Sequence, residues 1–482
     1  MNHKKVFSTI GVLLVVEGVL MLFPALVGFI FREPQAMNSF LIGAGLAATV
    51  GGVLTAVFKP KNDVIYAKEG FAVVSLAWIA MSVFGAVPFV ISGEIPNVID
   101  AFFEMVSGFT TTGASILTEV ESKSHALLFW RCFTHWIGGM GVIVFTMAIL
   151  PNLSDRSIHI MRAEMPGPTV GKLVPRTKDT AKVLYLIYIV ITAVQVIILT
   201  VCGMPFFESL VHSFATAGTG GFSVKNDSFG SYSSVLTNIT TVFMLICGIN
   251  FNLYYLILVG RFKTAIKSAE LWCYLIIIAL SSVIIGVNVL PMYDNAGTAF
   301  EDAAFQVVSV ITTTGYSSVN YDLWPAFSKT ILLILMFVGA CAGSTGGGLK
   351  VSRIMILFKL IFRQLRQMLH PRSVNSVKLE GKTVDSSTLN SVATYFALYI
   401  MCIALTFLVL SIEPDFDFET NFTAVIACFN NIGPGFGLVG PSASFADYSG
   451  FSKLVLSAAM LLGRLEIFPL LLACSPSTWR KR

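Results

Sequence analysis

The sequence predicts an all-α polytopic membrane protein in which two N-terminal helices precede four units of one plan, each a span, a short re-entrant helix and a second span. Three observations predict it. Of the 482 residues, 55% are hydrophobic and only 12% charged, whereas soluble domains carry about a quarter charged residues. Ten apolar stretches are long enough, at 1.5 Å per helical residue, to cross a hydrocarbon core of roughly 30 Å. Four of the segments joining these stretches repeat one another in register. The composition alone excludes a water-soluble enzyme.

The spans fall near 6–31, 39–58, 71–91, 125–150, 183–204, 235–260, 271–292, 328–349, 391–412 and 451–473. Ten is even, so both termini share a side. Placing them in the cytoplasm puts 25 of the 32 Lys and Arg on inner segments and five on outer ones, with Arg131 and Arg464 inside spans. Basic residues favour the cytoplasmic face, which fixes the orientation. The net charge of +5 therefore reports topology and not nucleic-acid binding. Outer segments receive 17 of the 27 carboxylates, including Glu413, Asp415, Asp417 and Glu419. They read either as a vestibule that concentrates cations or as ordinary solvated loops. The stretch 6–31 is longer than the core of a cleaved signal and reads as the first span. Eight cysteines occur singly, without CxxC or a Cys/His cluster, against both a disulfide framework and a metal site.

The repeat is read by aligning ten residues up to a glycine in four outer segments: EMVSGFTTTG (104–113), HSFATAGTGG (212–221), QVVSVITTTG (306–315) and AVIACFNNIG (424–433). Thirteen residues before the glycine stand Asp100, Glu208 and Asp302, and in the fourth copy Glu419 is one position earlier. Each segment is about a dozen residues long, which reaches halfway through a bilayer. The carboxylate is expected near the N-terminus, where the helix dipole favours it. The units divide as 1–68 for the two extra helices, then 69–155, 156–265, 266–375 and 376–482 for the four repeats.

Non-helical backbone at membrane depth is tolerated only where protein surrounds it or a watery cavity receives its carbonyls. Four such turns must therefore converge. Their half-helices bring the negative dipole ends to one axis, and carbonyls around Gly113, Gly221, Gly315 and Gly433 can replace the hydration shell of a monovalent cation. A Cβ at these positions would hinder the turn.

With these residues in view, the chain resembles the TrkH/TrkG/Ktr potassium transporters of bacterial membranes over nearly its full length, with plant and fungal Trk/HKT proteins as distant relatives. The likeness rests on TTTGAS, HSF followed by TGGFS, TTTGYSS, NNIGPGFG, GSTGGGLK (343–350) and GRLEIFP (463–469). NNIGPG, GRLEIF and the two extra helices look more like TrkH than KtrB. The resemblance implies a K+ filter built from Thr111, Thr112, Gly113, Gly220, Gly221, Thr314, Gly315, Ile432 and Gly433, with the ion at Thr112, Gly113, Gly221, Thr314, Gly315 and Gly433. A serine in the first repeat accompanies Na+ transport in some plant relatives, so Gly113 implies K+. It further implies a homodimer in a bacterial inner membrane on a cytosolic TrkA-like nucleotide-binding ring. No cofactor belongs to this chain, and NAD or ATP would act only through that partner.

Below the expected filter, a helix from Lys329 to about 369 would be twice the membrane thickness and must break. Gly343, Ser344, Thr345, Gly346, Gly347 and Gly348 mark the place, since interior glycines destabilise a helix by roughly 1 kcal/mol each. The run reads as a flexible intramembrane loop or a packing kink; GSTGGGLK lacks the P-loop spacing. With Lys350 and Arg464 it forms the gate that the resemblance implies. Arg464 lies about thirteen residues into its span, and is either paired with an acid such as Glu466 or a positive charge in the inner pore. Glu17 reads as a hydrogen-bonded structural group, with proton coupling as the alternative. His135 is expected to pack helices, and His212 to be hydrogen-bonded, with pH sensing as its alternative. The basic amphipathic stretch 353–372 reads as an inner-face helix meeting anionic lipid or a partner. The expected function is channel-like K+ uptake without covalent chemistry, against an H+- or Na+-coupled symporter; a hydrolase lacks HExxH or a clear GxSxG elbow.

Overall fold

The structure, a computed structural model, describes residues 2–60, 67–141, 177–372 and 375–479. Among the described residues the regular structure is helical, apart from a hairpin of Lys378–Leu379 and Lys382–Thr383. Helices α1 (His3–Leu20) and α2 (Leu22–Ile30) make one span, and α3 (Pro34–Val57) returns beside it. A Cβ on Gly11 would lie 2.6 Å from the Gly51 carbonyl, and one on Gly51 would lie 2.5 Å from the Gly11 carbonyl. These glycines let α1 and α3 pack backbone to backbone, the small-residue contact that membrane helices use in place of a hydrophobic drive.

Four units follow. The first comprises α4 (Ala67–Ile91), the re-entrant α5 (Val98–Phe109) and α6 (His125–Gly139), the second α7 (Thr177–Val201), the re-entrant α8 (Phe206–Gly218), α9 (Ser234–Cys247) and α10 (Phe251–Leu258). After the short α11 (Phe262–Ile266), the third unit has α12 (Ala269–Val289), the re-entrant α13 (Ala296–Ile311), α14 (Ala326–Val338) and α15 (Val351–Leu369). The fourth has α16 (Ser386–Leu410), the re-entrant α17 (Phe418–Phe429), α18 (Gly450–Arg464) and α19 (Phe468–Cys474).

The re-entrant helices have 12, 13, 16 and 12 residues. At 1.5 Å per residue each spans only part of the hydrocarbon core. Their inner halves are largely buried, as in Phe109, Ala217, Val307 and Ile426. Asn97, Asn295 and Asp417 cap the N-termini of α5, α13 and α17 through their side chains.

Three expected spans are not continuous helices. The stretch 235–260 bends by 86° between α9 and α10, and 451–473 bends by 119° between α18 and α19. The stretch 328–349 is helical only to Val338. Hydropathy registers apolarity and not backbone direction, so the first two breaks were invisible to it; the third is the break expected from length and glycines, and it begins after Val338, before Gly343. The span expected at 125–150 is described only as far as its helix and two further residues, and most of the basic inner segment 156–182 lies outside the described residues. Asp302 also departs from expectation. Because α13 begins at Ala296, it lies in the second turn, whereas Asp100, Glu208 and Glu419 do occupy first turns.

In the first and fourth units the second span approaches the end of the re-entrant helix through a glycine. A Cβ on Gly138 would lie 1.9 Å from the Phe109 carbonyl, and one on Gly463 equally close to the Phe429 carbonyl. Gly463→Ala therefore forces two backbones apart and is expected to destabilise the fold by about 1–3 kcal/mol. Thermal unfolding of the purified variant checks this; an unchanged midpoint contradicts it.

Candidate ion pathway

All four re-entrant helices end in the same way. In the first, the Thr111 N–H donates to the Gly108 carbonyl at 3.1 Å and the Thr112 N–H to the Ser107 carbonyl at 2.9 Å. The same pair of bonds recurs at Thr219 and Gly220, at Thr313 and Thr314, and at Asn431 and Ile432. This is a Schellman ending, which requires a left-handed residue. Here that residue is Thr111, Thr219, Thr313 or Asn431, with φ between 55° and 58°. A β-branched residue in that region is strained and persists only where its surroundings over-determine it.

Two residues later come Gly113, Gly221, Gly315 and Gly433, with φ of 82°, 78°, 82° and 101°. A Cβ on Gly113 would lie 2.1 Å from the carbonyl oxygen of Gly220, on Gly221 2.0 Å from that of Thr314, on Gly315 1.8 Å from that of Ile432, and on Gly433 2.8 Å from that of Thr112. Each glycine thus faces the carbonyl that precedes the next glycine, and the fourth closes on the first. The four segments form a ring with no room for a side chain on this face.

Contacts between neighbours hold the ring closed. His135 Nδ1 donates to the Gly108 carbonyl at 2.8 Å, the Phe222 N–H donates to its Nε2 at 3.4 Å, and its ring fills the space beside Gly220. The His212 ring bonds Ser223 Oγ and the Glu208 carbonyl, and the Tyr316 hydroxyl donates to the His212 carbonyl at 3.1 Å. Tyr321 reaches the Gly435 carbonyl, and the Phe445 N–H donates to Ser115. Asn431 donates to Thr112 Oγ1 at 3.0 Å, joining the fourth unit to the first.

Above the ring is a cavity of about 110 Å³ whose wall includes all four glycines, Arg131 and Lys225. Arg131 Nε donates to Glu104 at 2.7 Å, a pair buried at 2% and 0% side-chain exposure. Glu104 also accepts from Ser115 Oγ and the Ile116 N–H, so it anchors the chain just beyond Gly113. The outer carboxylates are largely engaged. Lys453 pairs with Asp100, Lys329 with Asp322 and Glu419, the Tyr232 hydroxyl with Glu208, and Ser318 with Asp302. Hydrogen bonding from Thr420 holds the Asp417 carboxyl below its usual range. The Lys453–Asp100 and Lys329–Glu419 pairs tie neighbouring units together, and the Glu208 and Asp302 contacts fasten a re-entrant helix within its own unit.

Below the ring, backbone 339–350 is non-helical, contacts the second, third and fourth units, and is linked to the first through Arg464. The Gly347 N–H donates to Thr313 Oγ1 at 2.6 Å, and a Cβ on Gly347 would lie 2.3 Å from the Asn430 carbonyl. A Cβ on Gly346 would lie 2.8 Å from the Thr312 carbonyl. Gly343, Thr345 and Cys341 bond to Phe251, Cys247 and Gly248 of the second unit. Arg464 donates to the Thr345 carbonyl at 2.9 Å and to the carbonyls of Gly138 and Gly139. The segment is thus held beneath the ring by three units directly and by the first through Arg464.

Ser344 turns back to the Cys341 carbonyl at 2.6 Å, Lys350 Nζ donates to the Gly346 carbonyl, and Gly348 packs on Gly339. Glu466, named as one acid that could pair with Arg464, takes Arg353, which also lies over the Tyr395 ring. Sequence reasoning also missed Glu270. One of its oxygens accepts the Ala342 N–H at 2.7 Å and the Ser352 N–H at 3.1 Å, stapling the two arms of the loop. An acid just inside an apolar span was the available signal. Glu17, expected to be hydrogen-bonded, is fully buried beside Gly85, and neither oxygen has a hydrogen-bond partner among the described residues.

Removing one member of a buried ion pair strands the other, at a cost of about 3–5 kcal/mol. Arg131→Met is expected to destabilise the protein by that order, and adding Glu104→Gln should recover part of the loss. Thermal melts of the single and double variants check this; additive losses contradict it.

Residues 36–481 match the family model described as TrkH, cation transport protein. The chain is 39% identical to the Trk system potassium uptake protein TrkH of Salmonella typhimurium, covering 100% of both chains. It is 34% identical to the Trk system potassium uptake protein TrkG of Escherichia coli, covering 99% of both. The crystal structure of the potassium transporter TrkH from Vibrio parahaemolyticus superposes with a TM-score of 0.89 at 34% identity, again over 100% of both chains. The chain is therefore a multi-pass membrane protein that belongs to the TrkH family of cation transport proteins.

Proposed function

We propose that the chain takes up K+ through a channel-like path, in which an ion sheds water at the ring and then meets the intramembrane loop. The closed ring of glycines, each facing the carbonyl before the next, is the observation that carries this reading. Carbonyls fixed in a protein-walled ring replace hydration water, and a preorganised ring favours the ion whose hydration shell it mimics. The relatives named as potassium uptake proteins support K+ as that ion.

The filter consists of Thr111, Thr112, Gly113, Gly220, Gly221, Thr314, Gly315, Ile432 and Gly433. The gate consists of Gly343–Gly348, Lys350 and Arg464, with Glu270 as a positioning residue. Three cations, Lys350, Arg353 and Arg464, and two acids, Glu270 and Glu466, cluster around the loop. The Arg464 guanidinium, seated against the loop, raises the barrier to a cation while the loop stays in place. Opening requires the loop to leave Arg464 and Thr313, and a cytosolic TrkA-like ring on a homodimer is the proposed source of that work. The protein is placed in a bacterial inner membrane with both termini cytoplasmic.

The second reading, an H+- or Na+-coupled symporter, draws on Glu17, which has no hydrogen-bond partner among the described residues and stands outside the ring. Four repeats of one topology suit a fixed axial path better than the inverted repeats of alternating access. In planar bilayers the zero-current voltage is expected to follow the K+ gradient alone; displacement by a pH or Na+ gradient favours the symporter.

Gly113→Ser places a side chain where a Cβ already meets the Gly220 carbonyl. In liposome flux assays, K+ over Na+ discrimination is expected to fall by about tenfold, equivalent to about 1.4 kcal/mol. In the same liposomes without a regulator, Arg464→Ala and Glu270→Ala should raise basal K+ flux, and Glu270→Gln less so, because an amide oxygen still accepts both N–H groups. Unchanged selectivity and unchanged basal flux would remove these assignments.

A further inference from the structure

Helix α15 leaves the loop at Val351, buries its first turn, and then presents an uncovered face. Phe358, Ile361, Phe362, Leu365, Met368 and Leu369 are each more than half exposed, at spacings that place them on one stripe. An apolar stripe of this size on one helix is not left to water. Along the adjacent stripe run Lys359, Arg363 and Arg366, at the i, i+4, i+7 positions.

These three cations and Lys378 of the hairpin line a pocket of about 560 Å³, with Phe362 as its apolar wall and no carboxylate among its lining residues. Lys359 Nζ donates to the Lys378 carbonyl at 2.7 Å, fixing the helix against the hairpin. Arg363 Nε is buried and has no hydrogen-bond partner among the described residues. Elsewhere Lys350 and Arg464 donate to backbone carbonyls, and three other enclosed cations each take an acid from this chain: Arg131 takes Glu104, Arg353 takes Glu466, and Lys453 takes Asp100. In this pocket four cations converge without one.

We propose that the pocket between α15 and the hairpin holds the phosphate of an anionic phospholipid, whose acyl chains cover the apolar stripe. Guanidinium groups suit phosphate because their planar forks donate two parallel hydrogen bonds. Basic pockets at the cytoplasmic ends of membrane helices recognise anionic headgroups in this way. The joint presence of a phosphate-sized basic pocket and an uncovered apolar stripe selects a lipid over a free anion, which would leave the stripe bare.

The test is native mass spectrometry of the full chain in detergent, titrated with phosphatidylglycerol or phosphatidylcholine. Phosphatidylglycerol is expected to be retained in preference. Arg363→Ala with Arg366→Ala should weaken that retention by roughly thirtyfold, the effect of two cations at a membrane surface. Arg363→Lys with Arg366→Lys, which keeps the charge, should lose less, and it reads the site even if the alanine pair does not fold. Lys4→Ala with Lys5→Ala should bind as the parent does. Equal retention of the two lipids, or retention indifferent to the arginines, overturns the proposal. So does displacement by millimolar inorganic phosphate, which marks a free-anion site. A shift from dimer to monomer in the variants, without change in lipid retention, also overturns it and assigns the face to a second copy of the chain.

Discussion

The structure depends on one constraint: peptide groups that leave the helix inside a membrane must find partners, since lipid offers none. At each re-entrant turn the last N–H groups are returned to the helix by a Schellman ending. The following carbonyls are not consumed within the turn. They face the glycine of a neighbouring unit, where absence of a Cβ leaves them room. Four turns that meet in this way, each facing the next and the fourth closing on the first, form a ring.

Closing such a ring from one chain requires strain and distant ties. The strain sits at Thr111, Thr219, Thr313 and Asn431, held left-handed by the helix ending on one side and packing on the other. The ties are polar contacts between units, including Lys453 to Asp100 and Lys329 to Glu419. Each joins a second span to the next unit's re-entrant helix. The loop beneath follows the same logic, since Glu270, Thr313, Arg464 and the second unit satisfy backbone that would otherwise lie bare at depth.

Much of this was legible in the sequence, for identifiable reasons. Hydropathy located the spans because transfer of apolar residues to lipid is a local property. The register of four glycines located the ring because a positive-φ turn restricts residue type locally. Breaks at Gly248 and after Arg464 were hidden, since an apolar window reads a bent pair and a straight helix alike. The roles of Glu104, Glu270 and Glu466 were hidden because their partners lie 27, 72 or more, and 113 residues away. Asp302 matched the spacing of its counterparts but not their place in the helix, because α13 begins a turn earlier.

The central claim is tested most directly by locating the ion. Diffraction from crystals grown in Rb+, a K+ surrogate with an anomalous signal, should show density within the ring, bounded by the carbonyls of Thr112, Gly220, Thr314 and Ile432. Crystals grown in Na+ alone should lack it. Anomalous density confined to other parts of the molecule, with the ring empty at high Rb+, would contradict the account.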